Sequence, residues 1–241
     1  MNDHPPANRL RTVAPGLERL ERSGWLPRHR HRDAYVLIAV DGVFEQASYA
    51  GRVTARPGDL LLQPTLDCHA NRTLGEHVRV LRLPWRFEPG TGGVHALRDL
   101  DAVVRAAQRD PREALALVER DVATLEPRPA RIADWEDELA RQLVAGSVGE
   151  LRDWAHANAI APETLSRGFR RRFGVTPSRF RLEWRTRAAC LRLASRAGAS
   201  RDIAAETGFA DQAHMSRCVQ EMTGATPGEW RARGKGTPCI A

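Results

Sequence analysis

The chain has 241 residues, 42% hydrophobic and 28% charged, a composition typical of a folded, soluble protein. Its longest strongly apolar run, YVLIAV at residues 35–40, is far shorter than the roughly 20 residues of a membrane-spanning helix. Four scattered cysteines without CxxC spacing argue against a disulfide framework. The first residues lack the apolar stretch of a secretory signal. We therefore expect a cytoplasmic protein with no membrane partner.

The net charge of +7 belongs entirely to the C-terminal part of the chain. Residues 147–241 contain 16 Lys and Arg against 9 Asp and Glu, whereas the first 146 residues contain 21 of each. A local excess of positive charge attracts polyanions such as DNA. A solubilising surface is the alternative explanation, but such a surface would be spread over the whole chain.

Short strands are predicted between residues 25 and 85. YVLIAV is followed by the turn signal DG, and FEQASY, LLLQP and VRVLRLPW continue the rhythm of strand and turn. Strands of this length and spacing predict an antiparallel barrel or sandwich. We assign residues 1–94 to this domain.

Helices are predicted after the glycine-rich GTGG at residues 90–93. Apolar residues recur at three-four spacing in the segments 97–108 and 112–125, and again in 132–146. We assign 95–140 to a helical linker, 141–233 to an all-α domain and 234–241 to a loose tail.

The all-α domain contains one sixteen-residue pattern twice, at residues 165–180 and 215–230. In the first copy Leu165, Phe169 and Phe173 form an apolar line at helical spacing, and in the second Met215 and Val219 take the same places. Each line is preceded by a turn and a shorter helix. The pattern predicts two helix-turn-helix units.

The second helix of each unit presents side chains that bind base edges or phosphates. Arginine makes a bidentate contact with guanine and glutamine makes one with adenine. The alternative, ordinary solvated arginines, is weakened because Arg167 and Arg217 recur at the same place in both units. The predicted DNA-binding residues are Glu163, Ser166, Arg167, Arg170, Arg171, Gln212, Ala213, His214, Ser216 and Arg217.

A single helix is predicted between the two units, from residue 177 to about 196. About 20 residues at 1.5 Å each give a rod of about 30 Å. Successive major-groove faces of B-DNA lie about 34 Å apart. The spacing therefore predicts that the two units reach adjacent major grooves, with Trp184, Ala188 and Leu191 packing the rod onto them.

Residues 147–233 resemble the C-terminal domain of the AraC/XylS family of transcription regulators, in which a long helix joins two helix-turn-helix units. The second-unit signature of that family is similar to GFADQAHMSRCVQEMTGATPGEWR at residues 208–231. Met215, Val219 and Trp230 replace the usual aromatic residues, and Ala161 replaces the serine common at the start of the first recognition helix. The resemblance implies a regulator without catalytic activity whose partners are double-stranded DNA, an effector and, for an activator, RNA polymerase.

Histidines in the strand region indicate a sensor site. His29 and His31 are two residues apart on a predicted strand, so their side chains face the same side, and His69 follows a later strand. These segments resemble the cupin barrel that precedes the DNA-binding domain in many members of this family. Metal-binding cupins have a Glu where Tyr35 stands, and a Gly is usual where Leu66 stands.

The resemblance implies an effector pocket in the barrel. Three imidazoles would suit Zn²⁺, Ni²⁺ or Fe²⁺, and Glu45 or Cys68 is a candidate fourth ligand. Alternatively, the histidines form hydrogen bonds at the barrel mouth or contact a small molecule. The predicted effector-binding residues are His29, His31, Tyr35, Glu45 and His69, of which His29, His31 and His69 are the candidate metal ligands.

The sequence thus predicts an α+β fold with two domains, a cupin-like antiparallel β-barrel followed by helices and an all-α domain with two helix-turn-helix units. In the family, helices after the barrel often form a homodimer interface; capping of their own barrel is the alternative. A second function remains open, a dioxygenase-like cupin metalloenzyme fused to a DNA-binding domain, although the missing Glu argues against it.

Overall fold

The structure is a computed structural model that describes residues 10–11, 14–20, 24–86, 93–124, 126–128, 132–195 and 198–233. The predicted tail at 234–241 lies outside these residues. The strands are β1 (Leu10–Arg11), β2 (Gly16–Leu20), β3 (Leu26–His31), β4 (Tyr35–Asp41), β5 (Phe44–Ser48), β6 (Gly51–Ala55), β7 (Asp59–Gln63), β8 (Cys68–Thr73), β9 (Val78–Pro84) and β10 (Gly93–Ala96). The helices are α1 (Leu100–Arg109), α2 (Pro111–Thr124), α3 (Trp135–Ala145), α4 (Leu151–Ala157), α5 (Pro162–Phe173), α6 (Pro177–Ala194), α7 (Ser200–Glu206), α8 (Gln212–Thr223) and α9 (Pro227–Arg233).

The strands form two five-stranded sheets. The first sheet has the order β1-β3-β8-β5-β6 and the second the order β10-β7-β4-β9-β2. The strands pair antiparallel, except that β1 and β3 pair parallel. This two-sheet architecture, followed by helices, confirms the predicted fold class.

The second sheet is covered on both faces because its strands alternate two sets of apolar side chains. Leu37 and Leu61 lie in the interior of the β-domain with Phe44 of the first sheet. Val36 and Ile38 point the other way and pack with apolar residues of α1 and α2. The apolar faces of these two helices therefore cap their own barrel, while the homodimer interface stays a prediction.

The region after the glycine-rich segment differs from the prediction at its start. Residues 93–96 form β10, which pairs with β7, so a helix does not yet begin there. Helix α1 begins at Leu100 because the Asp99 side chain accepts a hydrogen bond from the amide of Ala102 at 2.8 Å. Strand β2, which pairs with β9, was also not predicted.

The two predicted helix-turn-helix units are present, α4–α5 and α7–α8. The first unit buries Leu165, Phe169 and Phe173, and α3 packs into the same cluster. The second unit buries Met215 and Val219. Both apolar lines are therefore core, as predicted. Among the described helices, none has the length and apolar character needed to cross a membrane.

Helix α6 joins the units as one rod of 18 residues. At 1.5 Å per residue its length is about 27 Å, close to the prediction. Trp184 packs in the first unit's cluster as predicted. On the side of the second unit, Ala189 and Leu193 are buried, whereas Ala188 and Leu191, the predicted contacts, are only half-buried.

Candidate nucleic-acid interface and effector site

The recognition helices α5 and α8 begin by different local rules and end by the same one. Helix α8 begins after Asp211, whose side chain accepts a hydrogen bond from the His214 amide at 2.7 Å. Helix α5 begins after Ala161, which has no side-chain cap. Both helices end at a glycine in the left-handed region, Gly174 with φ 78° and Gly224 with φ 69°. The second unit therefore has the better-capped recognition helix.

The structure brings the predicted DNA-binding residues to the solvent side of α5 and α8. Within the described part of the chain, Arg167 and Arg217 have no ion-pair partner, so their guanidinium groups are available to a ligand. Two residues are only half-buried, His214 against the Phe209 ring at 5.3 Å and Ser216, whose hydroxyl donates to the Gln212 carbonyl. The remaining eight are exposed: Glu163, Ser166, Arg167, Arg170, Arg171, Gln212, Ala213 and Arg217.

The third arginine of the RRR run in α5 has a structural role. Arg172 is half-buried and its guanidinium lies 3.5 Å from Asp134 and 4.0 Å from Glu136 at the start of α3. Burial, together with the neighbouring Asp134 carboxylate, raises the pKa of Glu136. Arg172 thus joins α5 to α3, which leaves Arg170 and Arg171 on the solvent side.

The three candidate metal ligands lie together inside the barrel. His29 stands directly opposite His69 in the β3–β8 ladder, and the ring centroids of His29, His31 and His69 are 4.5–5.4 Å apart. One nitrogen from each ring falls within 4.8 Å of the others, and all three side chains are buried. Tyr35 adjoins them, with its hydroxyl 3.4 Å from Nε2 of His69.

Hydrogen bonds orient two of these rings. Nδ1 of His69 lies 3.0 Å from the Asp67 carboxylate, and Nδ1 of His29 lies 2.9 Å from the Pro27 carbonyl. Such partners, carboxylate or carbonyl, fix the Nδ1–H tautomer and leave Nε2 as a metal ligand. The donor set therefore fits a divalent transition metal. Asp67 was missed in the sequence, although a carboxylate two residues before a candidate ligand is a usable signal.

Glu45 and Cys68 do not face this site, so the prediction that Glu45 lines the pocket is wrong. Phe44 and Gln46 point into the barrel, and strand alternation turns Glu45 outward, 3.6 Å from Arg52. Cys68 likewise points outward, into the apolar cluster of the first helix-turn-helix unit. Burial raises the pKa of its thiol to about 11.

The C-terminal part of the chain is similar to known helix-turn-helix proteins. A family model described as a helix-turn-helix domain matches residues 154–233. The C-terminal domain of AraT, a response regulator from Geobacillus stearothermophilus, is 20% identical over 46% of this chain and 92% of its own, with a TM-score of 0.40. A probable AraC family transcriptional regulator from Rhodopseudomonas palustris is 21% identical over 40% of this chain and 97% of its own, with a TM-score of 0.35.

Several structures of one similar protein span most of the chain. ToxT from Vibrio cholerae, bound to (E)-4-(8-methylnaphthalen-1-yl)but-3-enoic acid, is 10% identical over 92% of this chain and 98% of its own, with a TM-score of 0.39. No curated protein matches the chain. Likenesses this distant add nothing to the assignment, which depends on the residues of the domain and on the matching family model.

Both recognition helices end at a glycine, are joined by the single helix α6, and expose the side that carries Arg167 or Arg217. Together they define a double helix-turn-helix DNA-binding domain. The signature segment at residues 208–231 and the family model over 154–233 specify it further. Residues 154–233 of this chain therefore form a helix-turn-helix domain that binds DNA.

Proposed function

We propose that this regulator is controlled by a divalent transition metal bound by His29, His31 and His69. The observation that carries the proposal is the approach of one nitrogen from each buried imidazole to within 4.8 Å of the others. Neutral imidazole is a preferred ligand of Zn²⁺, Ni²⁺ and Fe²⁺. A bound ion would supply a positive charge between β3 and β8, which the Asp67 carboxylate beside His69 would partly balance.

Calorimetric titration of tag-free, metal-free protein with ZnCl₂ and NiCl₂ tests the metal site. We expect one equivalent to bind, His31→Ala to abolish that binding, and Asp67→Asn to weaken it by about 10–100-fold because it loosens the His69 ring. His156→Ala, at an exposed histidine on α4, is the matched control. A wild-type protein that binds neither ion, or an unchanged affinity in His31→Ala, would contradict the proposal.

We also propose a division of labour within the DNA interface. Arg167 and Arg217 occupy equivalent outward positions on α5 and α8 and read base edges, whereas Arg170 and Arg171 bind phosphates. Replacing a base-reading arginine by alanine costs about 1–3 kcal/mol of specific binding. Replacing a phosphate-binding arginine lowers the affinity for all sequences. It also reduces the slope of log binding constant against log salt concentration by about 1.

A duplex selected from a random-sequence pool provides the assay. Arg167→Ala should relax the selected sequence at particular positions, and Arg170→Ala should leave the sequence preference intact while weakening binding throughout. Arg105→Ala, on the exposed side of α1, is the matched control for loss of one positive charge. Unchanged sequence preferences in both Arg167→Ala and Arg217→Ala would remove the base-reading assignment.

A second candidate function is favoured by the composition of the ligand set. Three histidines leave coordination positions free, as in catalytic rather than structural metal sites. A dioxygenase-like metalloenzyme would show oxygen uptake that depends on iron loading and disappears in His31→Ala. Iron-loaded protein that consumes no oxygen with any aromatic acid or diol supplied would leave the sensor as the only function of the site.

Two further partners belong to the same proposal. An activator of this type contacts RNA polymerase, and a homodimer would use the exposed sides of α1 and α2. Sedimentation of the purified chain with and without ZnCl₂ tests the dimer, and transcription from the selected duplex with purified polymerase tests activation.

A further inference from the structure

The four residues Arg28, His29, Arg30 and His31 of β3 serve two different parts of the molecule. Side chains alternate along a strand, so the histidines face the barrel interior and the arginines face the opposite side of the first sheet. That outer side is packed against the DNA-binding domain, and both arginines are buried, with 7% and 4% of their surface exposed. One strand therefore carries the candidate metal ligands and the contacts to the DNA-binding domain.

Each of these arginines reaches the carboxyl end of a recognition helix. Arg28 Nη1 donates to the carbonyl of Phe173, the last residue of α5, at 3.4 Å. Arg30 Nη1 donates to the carbonyl of Met222, one residue before the end of α8, at 3.2 Å. A cation at a helix carboxyl end is favourable because the last carbonyls are unpaired and carry partial negative charge.

The rod between the units supplies the counter-charge. Glu183, buried on α6, accepts a hydrogen bond from Arg28 Nε at 2.9 Å and lies 4.0 Å from Arg30. The Arg28 guanidinium also lies over the rings of Tyr49 and Phe180, 5.3 and 5.1 Å from their centroids. Because buried charges without partners are strongly destabilising, this set holds the two arginines in one arrangement.

Close approach at the end of α5 depends on a glycine. A Cβ at Gly174 would stand 3.1 Å from the Cβ of Arg28, and the residue has φ 78°. The end of the first recognition helix is therefore seated directly on β3.

A second connection leaves the histidine cluster by the turn before β8. The Leu66 amide donates to the carbonyl of His31 at 3.1 Å, and the Leu66 side chain is buried in the apolar cluster of the second unit. The carbonyl of Thr65 accepts a hydrogen bond from Arg187 of α6 at 2.8 Å. Asp67, which follows Leu66, binds Nδ1 of His69 through its carboxylate. The three histidines are thus connected to the two helix-turn-helix units through β3 and through the turn before β8.

We propose that Arg28 and Arg30 are positioning residues for DNA binding, which set the relative orientation of α5 and α8 and couple it to the occupancy of the histidine cluster. The coupling rests on the metal site proposed above; the positioning of the helices does not. Both recognition helices must enter grooves on one duplex together, so a displacement of β3 changes the fraction of molecules that are competent to bind. A metal that favours one position of β3 then changes DNA affinity by a coupling factor, which for known systems is about 5–150-fold.

Thermodynamic linkage provides the test. The dissociation constant for a selected duplex is measured by fluorescence anisotropy with and without saturating ZnCl₂, and that for Zn²⁺ with and without the duplex. For the wild type we expect both ratios to depart from 1 by the same factor, because linkage is reciprocal. Arg28→Met and Arg30→Met should bring both ratios to within about twofold of 1 while the Zn²⁺ affinity without DNA stays at the wild-type value.

Two controls separate positioning from general damage. Arg30→Lys keeps a cation near the Met222 carbonyl and should retain part of the coupling. Arg32→Met, an exposed arginine just after β3, should behave as the wild type. Circular dichroism checks that each variant is folded, and Glu183→Gln, which keeps the side-chain shape, replaces any arginine variant that is not.

Hydroxyl-radical footprints decide the positioning claim without metal. The wild type should protect two adjacent grooves, and Arg28→Met or Arg30→Met should lose or weaken protection of one. Wild-type coupling and footprint in both methionine variants would overturn the inference. A wild-type protein that binds DNA but not Zn²⁺ would refute the metal proposal alone, and the footprints would then decide on the arginines. A wild type that binds both ligands with ratios of 1 would refute the coupling.

Discussion

Replacing Leu66 by glycine should destabilise the protein even though it relieves backbone strain. Leu66 has φ 57°, in the left-handed region that glycine favours, and its side chain is fully buried in the cluster of the second unit. The substitution therefore changes two large terms of opposite sign. Ala159 offers the matched case, because it has φ 52° but is exposed in the turn between α4 and α5.

The magnitudes decide the sign at each position. A non-glycine residue in the left-handed region costs about 1–2 kcal/mol, which glycine would recover. Truncation of a buried leucine costs about 3–5 kcal/mol, and the added freedom of glycine in the unfolded chain costs about 0.5–1 kcal/mol more. Leu66→Gly should thus lower the free energy of unfolding by about 1.5–5 kcal/mol. Ala159→Gly, which loses no burial, should raise it by about 0.5–1 kcal/mol.

Urea denaturation followed by tryptophan fluorescence measures both changes. Limited proteolysis adds a local readout, since Leu66→Gly should also loosen the contact between the barrel and the second unit. Equal signs for the two substitutions, or a stabilising Leu66→Gly, would show that burial between the domains does not hold this residue in its conformation.

Three further predictions probe separate parts of the structure. Asp211→Ala should destabilise α8 by about 1 kcal/mol, and Ala161→Asp should stabilise the uncapped α5 by a similar amount, both measured by urea denaturation; no difference between them would refute the capping argument. Burial raises the pKa of the Cys68 thiol from 9.0 to about 11, so the unfolded chain ionises first. Stability should therefore fall as the pH rises from about 9 to 11, with a shallower fall in Cys68→Ala, and parallel profiles would contradict this. Arg52 pairs with the buried Asp137 at 2.6 Å, so Arg52→Met should lower the free energy of unfolding by about 3 kcal/mol. The double change Arg52→Met with Asp137→Leu should lower it by less in the same assay. Additive effects of the two substitutions would disprove the coupling.

The helical domain could be predicted from the sequence because its signals are local. Apolar lines such as Leu165, Phe169 and Phe173 report helical period directly, and Asp211 has the side chain that a helix start requires. The repeated pattern then gives the second unit from the first. The prediction of the buried side of α6 failed, since Ala189 and not Ala188 is in the core. Helix α6 packs against both helix-turn-helix units, so its buried residues do not form a single apolar stripe.

The histidine cluster was predicted in part, for reasons that strand geometry explains. Two histidines at spacing two must share a face, and His69 joins them once β3 and β8 pair. The placement of Glu45 failed because its face depends on the register of β5 against β8, which the sequence of β5 alone does not reveal. The two arginines of β3 were missed for a related reason, since their partners lie on elements distant in sequence. Asp67 was missed although its partner His69 stands only two residues away.

The arrangement of β3 limits how sensors and DNA-binding domains of this type can be exchanged. A chimera that joins this barrel to another pair of helix-turn-helix units would place Arg28 and Arg30 against the helix that connects those units. That helix would need a carboxylate at the position of Glu183 to pair with them. An insertion of one residue within the strand would turn histidines toward the heads and arginines into the barrel. Either domain can therefore be exchanged only if strand β3 and the carboxylate at position 183 are kept together.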